Sequence, residues 1–335
     1  MHGFQIPAGH QTLVYSKVDG HEIKLDYWLP RNANGALPAV IYYHGGGMTA
    51  GSRRSFDFPH GMHSACQENG YIFISADYRL CHPCTALDQI DDVKALFQYL
   101  GGKFGMELPS GTSLALNRIA VTGSSAGAYS ARVACLYAEP KPAVLMTAFG
   151  LAGDLLLDHW LTPRPATSLG QLVSLDKVPE FLADKTVVSD DQQFDFKKSR
   201  FALTARWELD GTMLDNIFGH PGLGKELLAV EKEQRGDAIP SKLKPAFPQL
   251  FVSKDYPPSV FVHGTLDEVV PKEESINQHR QLEYLGVKSK LLLVEGAGHS
   301  LIDPTSGFPP TMAKGADEAY ETAFRFIVEV INSIQ

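Results

Sequence analysis

Six short runs dense in Val, Ile and Leu limit what this chain can fold into. They are Ala39–Tyr43, Tyr71–Ala76, Arg118–Thr122, Ala143–Phe149, Ser259–His263 and Lys290–Val294. Runs this short and this apolar suit strands covered on both faces, as in a parallel sheet. Helical periodicity falls between and after them, at Leu87–Leu100, Ala126–Tyr137, Glu273–Leu285 and Ala316–Ile334. Strands separated by helices imply βαβ units, hence an α/β fold with a mostly parallel central sheet flanked by helices. Two alternating segments, Thr12–Val18 and Ile23–Leu29, flank Asp19-Gly20 and add an antiparallel hairpin at the entry.

The rhythm breaks from about Leu151 to Leu250, where no run reads as a sheet strand. So long a connection is improbable without a function, and an inserted helical cap or lid is the simplest account. The expected division is 1–150 and 251–335 for the core and 151–250 for the cap. With 335 residues, 44% of them hydrophobic, the chain has enough apolar material to need no disulfide or metal staple. Its net charge of −8 argues against a nucleic-acid binder. No apolar run reaches the ~20 residues of a membrane span. Met1–Pro7 has neither a basic nor an apolar leader region. A cytoplasmic protein is the expectation, and a homodimer is left open. The spacing of Cys81 and Cys84 fits a redox pair, but an ordinary loop suffices to explain it and stronger chemistry sits elsewhere in the chain.

Gly123-Ser124-Ser125-Ala126-Gly127 follows the strand Arg118–Thr122 and opens a helix. A serine at a tight strand-to-helix turn is pushed out of the backbone, and small neighbours are needed there. A small-residue packing turn is the plainer alternative, but the strand before and helix after favour a nucleophile elbow with Ser125 as nucleophile. Upstream, Ala39–Tyr43 runs into His44-Gly45-Gly46-Gly47, whose exposed N–H groups suit an anionic oxygen. The hole is assigned to Gly45, Gly46 and Ala126, and His44 is expected to orient the loop. Downstream, two strand-end loops carry Asp267 and His299, with Glu268 as the runner-up acid. The order Ser, Asp, His is that of the α/β-hydrolase fold. His299 is chosen among 12 histidines because it alone follows the last core strand in a small-residue loop.

On these residues the chain resembles the hormone-sensitive-lipase-like esterases, a group of α/β-hydrolases. The resemblance is carried by His44–Gly47, Asp77-Tyr78-Arg79-Leu80, Gly123–Gly127, His263-Gly264 with Asp267, and Gly298-His299. It implies a carboxylic-ester hydrolase with Ser125, Asp267 and His299 as triad. The segment Trp207–Asp215 is similar to fungal members of the group. Ser124, Met48 and Cys81–Cys84 depart from the usual pattern, which leaves the reaction class intact and the substrate open. Asp77 and Arg79 read as a structural pair.

The resulting expectation is a serine hydrolase acting on a small or medium ester through an acyl-enzyme, with no metal or organic cofactor. The same machinery also fits an arylformamidase, lactonase, thioesterase or acyltransferase in a biosynthetic pathway. A non-catalytic ligand receptor of this fold is the remote alternative. Substrate contacts are sought at His44, Gly47, Met48, Trp207 and His220. Trp160 and Phe218 are further lining candidates, although cap packing requires such residues anyway. Arg200, Arg206 and His220 read chiefly as solvated surface.

Overall fold

The computed structural model describes residues 5–55, 57–165, 170–191, 195–307 and 309–334. Part of the leader reading, residues 1–4, lies outside the described residues. In chain order the elements are β1 (Gln11–Val18), β2 (His21–Trp28), β3 (Gly35–Tyr43), α1 (His60–Glu68), β4 (Ile72–Ala76), α2 (Ala86–Gly102), β5 (Thr112–Ser124), α3 (Gly127–Tyr137) and β6 (Val144–Ala148). Six short helices follow: α4 (Asp158–Leu161), α5 (Val178–Ala183), α6 (Phe201–Asp210), α7 (Met213–Ile217), α8 (Leu223–Leu228) and α9 (Arg235–Ala238). The chain closes with β7 (Ser259–Gly264), α10 (Glu273–Tyr284), β8 (Ser289–Val294) and α11 (Ala316–Asn332).

One eight-stranded sheet carries all the strands, in the order β1-β2-β4-β3-β5-β6-β7-β8. β1 pairs antiparallel with β2 and β2 antiparallel with β4, and every later pair is parallel. The hairpin turns at Asp19 (φ 50°) and Gly20 (φ 85°), two positive values that match the right-handed twist of the flanking strands. Alternation along each strand divides the interior in two. β3 sends Ala39, Ile41 and Tyr43 to one core and Val40 and Tyr42 to the other. The first core is closed by α2 and α3 through Val93, Phe97, Tyr129 and Val133. The second is closed by Cys66 of α1 and by the apolar stripe Ala323, Ile327, Val330 and Ile331 of α11.

Between β6 and β7 the described residues form no strand. Trp160, Leu203, Trp207, Leu214, Ile217 and Leu223 of these short helices are buried and continuous with the first core. The insertion is thus packed onto the sheet side rather than set apart from it.

One element differs from the sequence reading. β5 begins at Thr112, because Ser113 and Leu114 pair with Ala36 and Leu37 before the register shifts and the central run begins. This half-exposed extension has little apolar density to announce it. Helix α1 buries only His63 and Cys66 and so carries no apolar stripe. Asp77 and Arg79 do not pair with each other. Asp77 Oδ2 meets Arg53 Nη1 at 2.5 Å, while Arg79 Nε donates to Asp92 Oδ1 at 2.8 Å. Both remain structural groups, each with a partner the sequence did not suggest.

Candidate active site

Parallel strands deliver their C-terminal ends to one edge of a sheet, and five of the sequence motifs converge there. Ser125 follows β5 directly and has φ 50°, so its side chain is turned away from the strand path. This turn works only because α3 comes in very close behind it. A Cβ on Gly127 would fall 2.1 Å from the Tyr43 carbonyl oxygen and 2.4 Å from that of His44. Ser125 Oγ lies 3.0 Å from His299 Nε2, and His299 Nδ1 lies 2.8 Å from Asp267 Oδ2. The second Asp267 oxygen accepts the N–H groups of Val269 (2.9 Å) and Val270 (3.0 Å).

The loops bearing the acid and the imidazole are tied together. Leu266 N–H donates to the Ala297 carbonyl at 2.8 Å, and Gly296 N–H donates to Thr265 Oγ1 at 2.9 Å. Beneath them His263 Nε2 is 3.3 Å from Asp267 Oδ2 and its Nδ1 is 2.8 Å from Ser275 Oγ. Burial alone would raise the Asp267 carboxyl, but the neighbouring His299, with hydrogen bonds from His263 and His299, holds it well below the usual carboxylate range. A carboxylate so held is an acceptor at every working pH. On its other side the His299 ring meets Phe149 edge-on at 4.9 Å.

The glycine loop departs from expectation at one position. Gly45 N–H does not face the serine: it donates to Asp57 Oδ2 at 2.9 Å. That same oxygen accepts from Ser124 Oγ at 3.1 Å, and the Tyr42 hydroxyl sits 2.7 Å from Ser124 Oγ. Among the described residues nothing accepts the N–H groups of Gly46, Gly47 or Ala126. Gly46 has φ 107°, and a Cβ there would meet the Ala50 carbonyl oxygen at 2.2 Å. The loop is further pinned by His44, which is fully buried, stacked 4.3 Å from Tyr78 and contacting the Gly45 carbonyl oxygen through Nδ1 at 2.8 Å. Burial lowers the His44 pKa, which keeps the ring neutral.

Helix α6 lies directly on this loop. Thr204 Oγ1 donates to the Gly47 carbonyl oxygen at 2.9 Å and contacts Thr49 Oγ1 at 2.7 Å. A cavity of about 20 Å³ remains above Ser125, walled by Gly47 and Ala126 below and by Trp160, Phe201, Glu208 and Met213 above. Room for about one water is all that such a volume gives. Glu208 is paired with Arg164 at 2.8 Å. Burial raises the Glu208 carboxyl, with Arg164 opposing.

Of the substrate contacts sought in the sequence, Gly47 alone lines this cavity, joined by the lining candidate Trp160. His44 is sealed beneath the loop, and Met48 (φ 66°) turns into the first core. Trp207 is also core, Phe218 stacks on Phe247 at 4.4 Å, and His220 pairs with Glu226 near the surface. Arg206 pairs with Asp210 in solvent, as expected. Arg200 does not: it is buried, its Nε donating to the Thr49 carbonyl at 3.2 Å and its Nη2 to that of His82. Cys81 and Cys84 are buried free thiols, and burial pushes Cys84 up to about 11 and Cys81 higher still. Reactive redox thiols are shifted the other way. Sequence reading missed Asp57, Glu208 and Arg164. Asp57 and Arg164 are ordinary charged residues with no motif around them, and Glu208 lies in the Trp207–Asp215 segment, where the resemblance assigned it no role.

Comparison with known proteins places this geometry. Residues 25–146, which hold the glycine loop and the elbow, match the BD-FAE family model. Residues 230–333, which hold Asp267 and His299, match that of the prolyl oligopeptidase family. Among solved structures, butyrate-bound Thermogutta terrifontis esterase 2 superposes with a TM-score of 0.60 at 18% identity, covering 96% of this chain and 95% of that one. The apo form of that esterase gives a TM-score of 0.57 at 17% identity over the same shares. Two curated relatives are fungal synthases. The non-reducing polyketide synthase prhL of Penicillium brasilianum is 26% identical over 86% of this chain, and the 5-methylorsellinic acid synthase of Aspergillus terreus is 23% identical over 86%. This chain spans 13% of the first synthase and 12% of the second. The mostly parallel sheet with helices on both faces and the two family matches, one over each half of the chain, agree with the resemblance read from the motifs: the chain has the α/β-hydrolase fold and is similar to esterases that share it.

Proposed function

We propose that the protein is a serine hydrolase that cleaves a carboxylic ester of small to medium size through an acyl-enzyme on Ser125. The observation that carries this reading is the unbroken run of contacts from Ser125 Oγ to His299 (3.0 Å) and from His299 to Asp267 (2.8 Å), beside N–H groups that have no acceptor among the described residues. His299 takes the Ser125 proton as Oγ attacks the ester carbonyl carbon. The oxyanion that forms is held by the N–H groups of Gly46, Gly47 and Ala126. As the carbonyl re-forms, the C–O bond to the alcohol breaks and His299 gives its proton to the departing oxygen. Water then attacks the acyl-enzyme by the same route and releases the acid. Asp267 fixes the tautomer and balances the imidazolium without itself taking the proton. The segment 151–250 serves as a cap that must shift to admit a substrate, since about 20 Å³ holds none.

A second reading keeps the same acyl-enzyme and passes the acyl group to an acceptor other than water. It is favoured by the polyketide synthase relatives, which align over most of this chain. Hydrolysis of p-nitrophenyl esters from acetate to laurate tests the first reading. Turnover that disappears in Ser125→Ala and falls less than about tenfold in Ser124→Ala supports it. Equal losses in both variants sink the assignment of the nucleophile. Stable acyl-Ser125 without release to water moves the reading to transfer.

A further inference from the structure

The cavity wall around Ser125 is mostly apolar, from Leu151, Trp160, Phe201, Met213, Val269 and Val270, with two polar side chains, Thr204 and Glu208; the Thr204 hydroxyl is engaged by the Gly47 carbonyl at 2.9 Å and Thr49 Oγ1 at 2.7 Å. Glu208 is the single ionisable side chain that lines it among the described residues. Its side chain is 9% exposed, and it meets Arg164 Nη2 through Oε1 at 2.8 Å. Among the described residues no hydrogen bond reaches its other oxygen. Arg164 is itself fixed from three sides. Its Nη1 donates to the Glu268 carbonyl at 3.1 Å, its backbone N–H to the Glu208 carbonyl at 3.0 Å, and its guanidinium lies 5.6 Å from the Trp160 ring centre. Trp160 Nε1 in turn donates to buried Glu274 at 2.5 Å. The carboxylate is therefore held rigidly at the substrate side of Ser125 by a run of buried polar contacts.

From this arrangement we infer that Glu208 is the specificity group of the pocket, and that it accepts a hydrogen bond from a hydroxyl on an otherwise apolar substrate. The inference rests on the acyl-enzyme reading for the placing of the scissile ester beside Ser125. Its chemistry follows from charge. Arg164 already neutralises Glu208, so an added ammonium would face a guanidinium for no net Coulomb gain. A substrate carboxylate would face Glu208 itself. A neutral O–H, alcoholic or phenolic, is the donor that an unused carboxylate oxygen accepts without burying a new charge. A substrate lacking that hydroxyl leaves the oxygen unsatisfied, which is how such sites discriminate strongly.

The test separates recognition from turnover by measuring affinity on Ser125→Ala, which binds esters without consuming them. The probes are ethyl 3-phenylpropanoate and its meta- and para-hydroxyphenyl counterparts, titrated calorimetrically. At least one hydroxylated ester is expected to bind about tenfold or more tightly than the parent. That preference should shrink several-fold when Glu208→Gln is added, and vanish when Glu208→Leu and Arg164→Leu are added together. The paired change avoids leaving a buried guanidinium alone, and parent-ester affinity within about threefold of the Ser125→Ala value shows the pocket intact. Equal affinity for all three esters overturns the inference, and so does a preference that survives the paired change. Hydrolysis of the parent ester by the unmodified chain is read separately. Its absence would reject the esterase reading while leaving the binding ratios to judge Glu208.

Discussion

At Asp57 a single carboxylate oxygen gathers the Gly45 N–H (2.9 Å) and the Ser124 hydroxyl (3.1 Å), linking the glycine loop to the residue beside Ser125. Removing it frees the loop to rotate its remaining N–H groups out of line. Asp57→Ala should lower kcat about 10- to 100-fold with KM for short esters little changed, since the loss falls on the transition state. A rise in KM alone, or a fall in thermal stability with normal kcat, would make Asp57 a packing residue only. Asp267 supports two expectations. Asp267→Asn should cost about 10⁴ in kcat if the carboxylate orients the imidazole as in the serine-protease template. The sign of its stability effect follows from its lowered pKa. A carboxyl held low in the fold contributes stability above its unfolded value of about 4 and loses it as pH falls toward the folded value. The Tm gap between the unmodified chain and Asp267→Asn should be constant from neutral pH to about pH 5 and close only below that. A gap that closes between pH 8 and 6 would contradict the assigned shift.

At the scale of elements, the strand-turn-helix around Ser125 depends on how closely α3 packs behind β3. The atoms a Gly127 side chain would strike are backbone oxygens at 2.1 Å and 2.4 Å, which cannot move aside without breaking β3. Gly127→Ala should therefore cost several kcal/mol, at the severe end of single substitutions. Gly101, inside α2 with nothing within 4 Å of a Cβ, supplies the contrast. Gly101→Ala should stabilise by about 0.5–1 kcal/mol through helix propensity alone. Denaturant midpoints of the two variants check both signs, and equal midpoints would refute the packing argument. The same elements show what a sequence exposes. All eight strands and the four long helices α2, α3, α10 and α11 were legible, because burial on two faces or one stripe leaves a periodic trace. Ser125, Asp267 and His299 stood out because each sits in a strand-end loop whose small residues permit close loop contacts, and the fold brings the three side chains into contact. Asp57, Glu208 and Arg164 did not stand out, because their roles arise only when distant segments meet. Gly45 was misjudged for the same reason: its N–H is taken by an acid twelve residues away.

For the molecule as a whole, the helical insertion shares a core with the sheet, so the roof over Ser125 is part of the folded unit. Its closure explains why the cavity is small while the chemistry beneath it is assembled. The four cysteines report on that unit: all are buried, and burial pushes each thiol upward. At pH 8 a thiol-specific reagent should react at the rate of global unfolding, with the protection lost cooperatively in denaturant. Rapid labelling of Cys81 or Cys84 in the native protein would instead reveal local opening around the Cys81–Cys84 turn. The central claim is that Ser125 carries the acyl group, and intact-mass analysis after acid quench tests it most directly. The protein is mixed with p-nitrophenyl butyrate and sampled before the first turnover ends. A butyryl adduct is expected that maps to the Ser125 peptide, appears in step with p-nitrophenol and is absent from Ser125→Ala. An adduct on another residue, or p-nitrophenol released equally by Ser125→Ala, would contradict it.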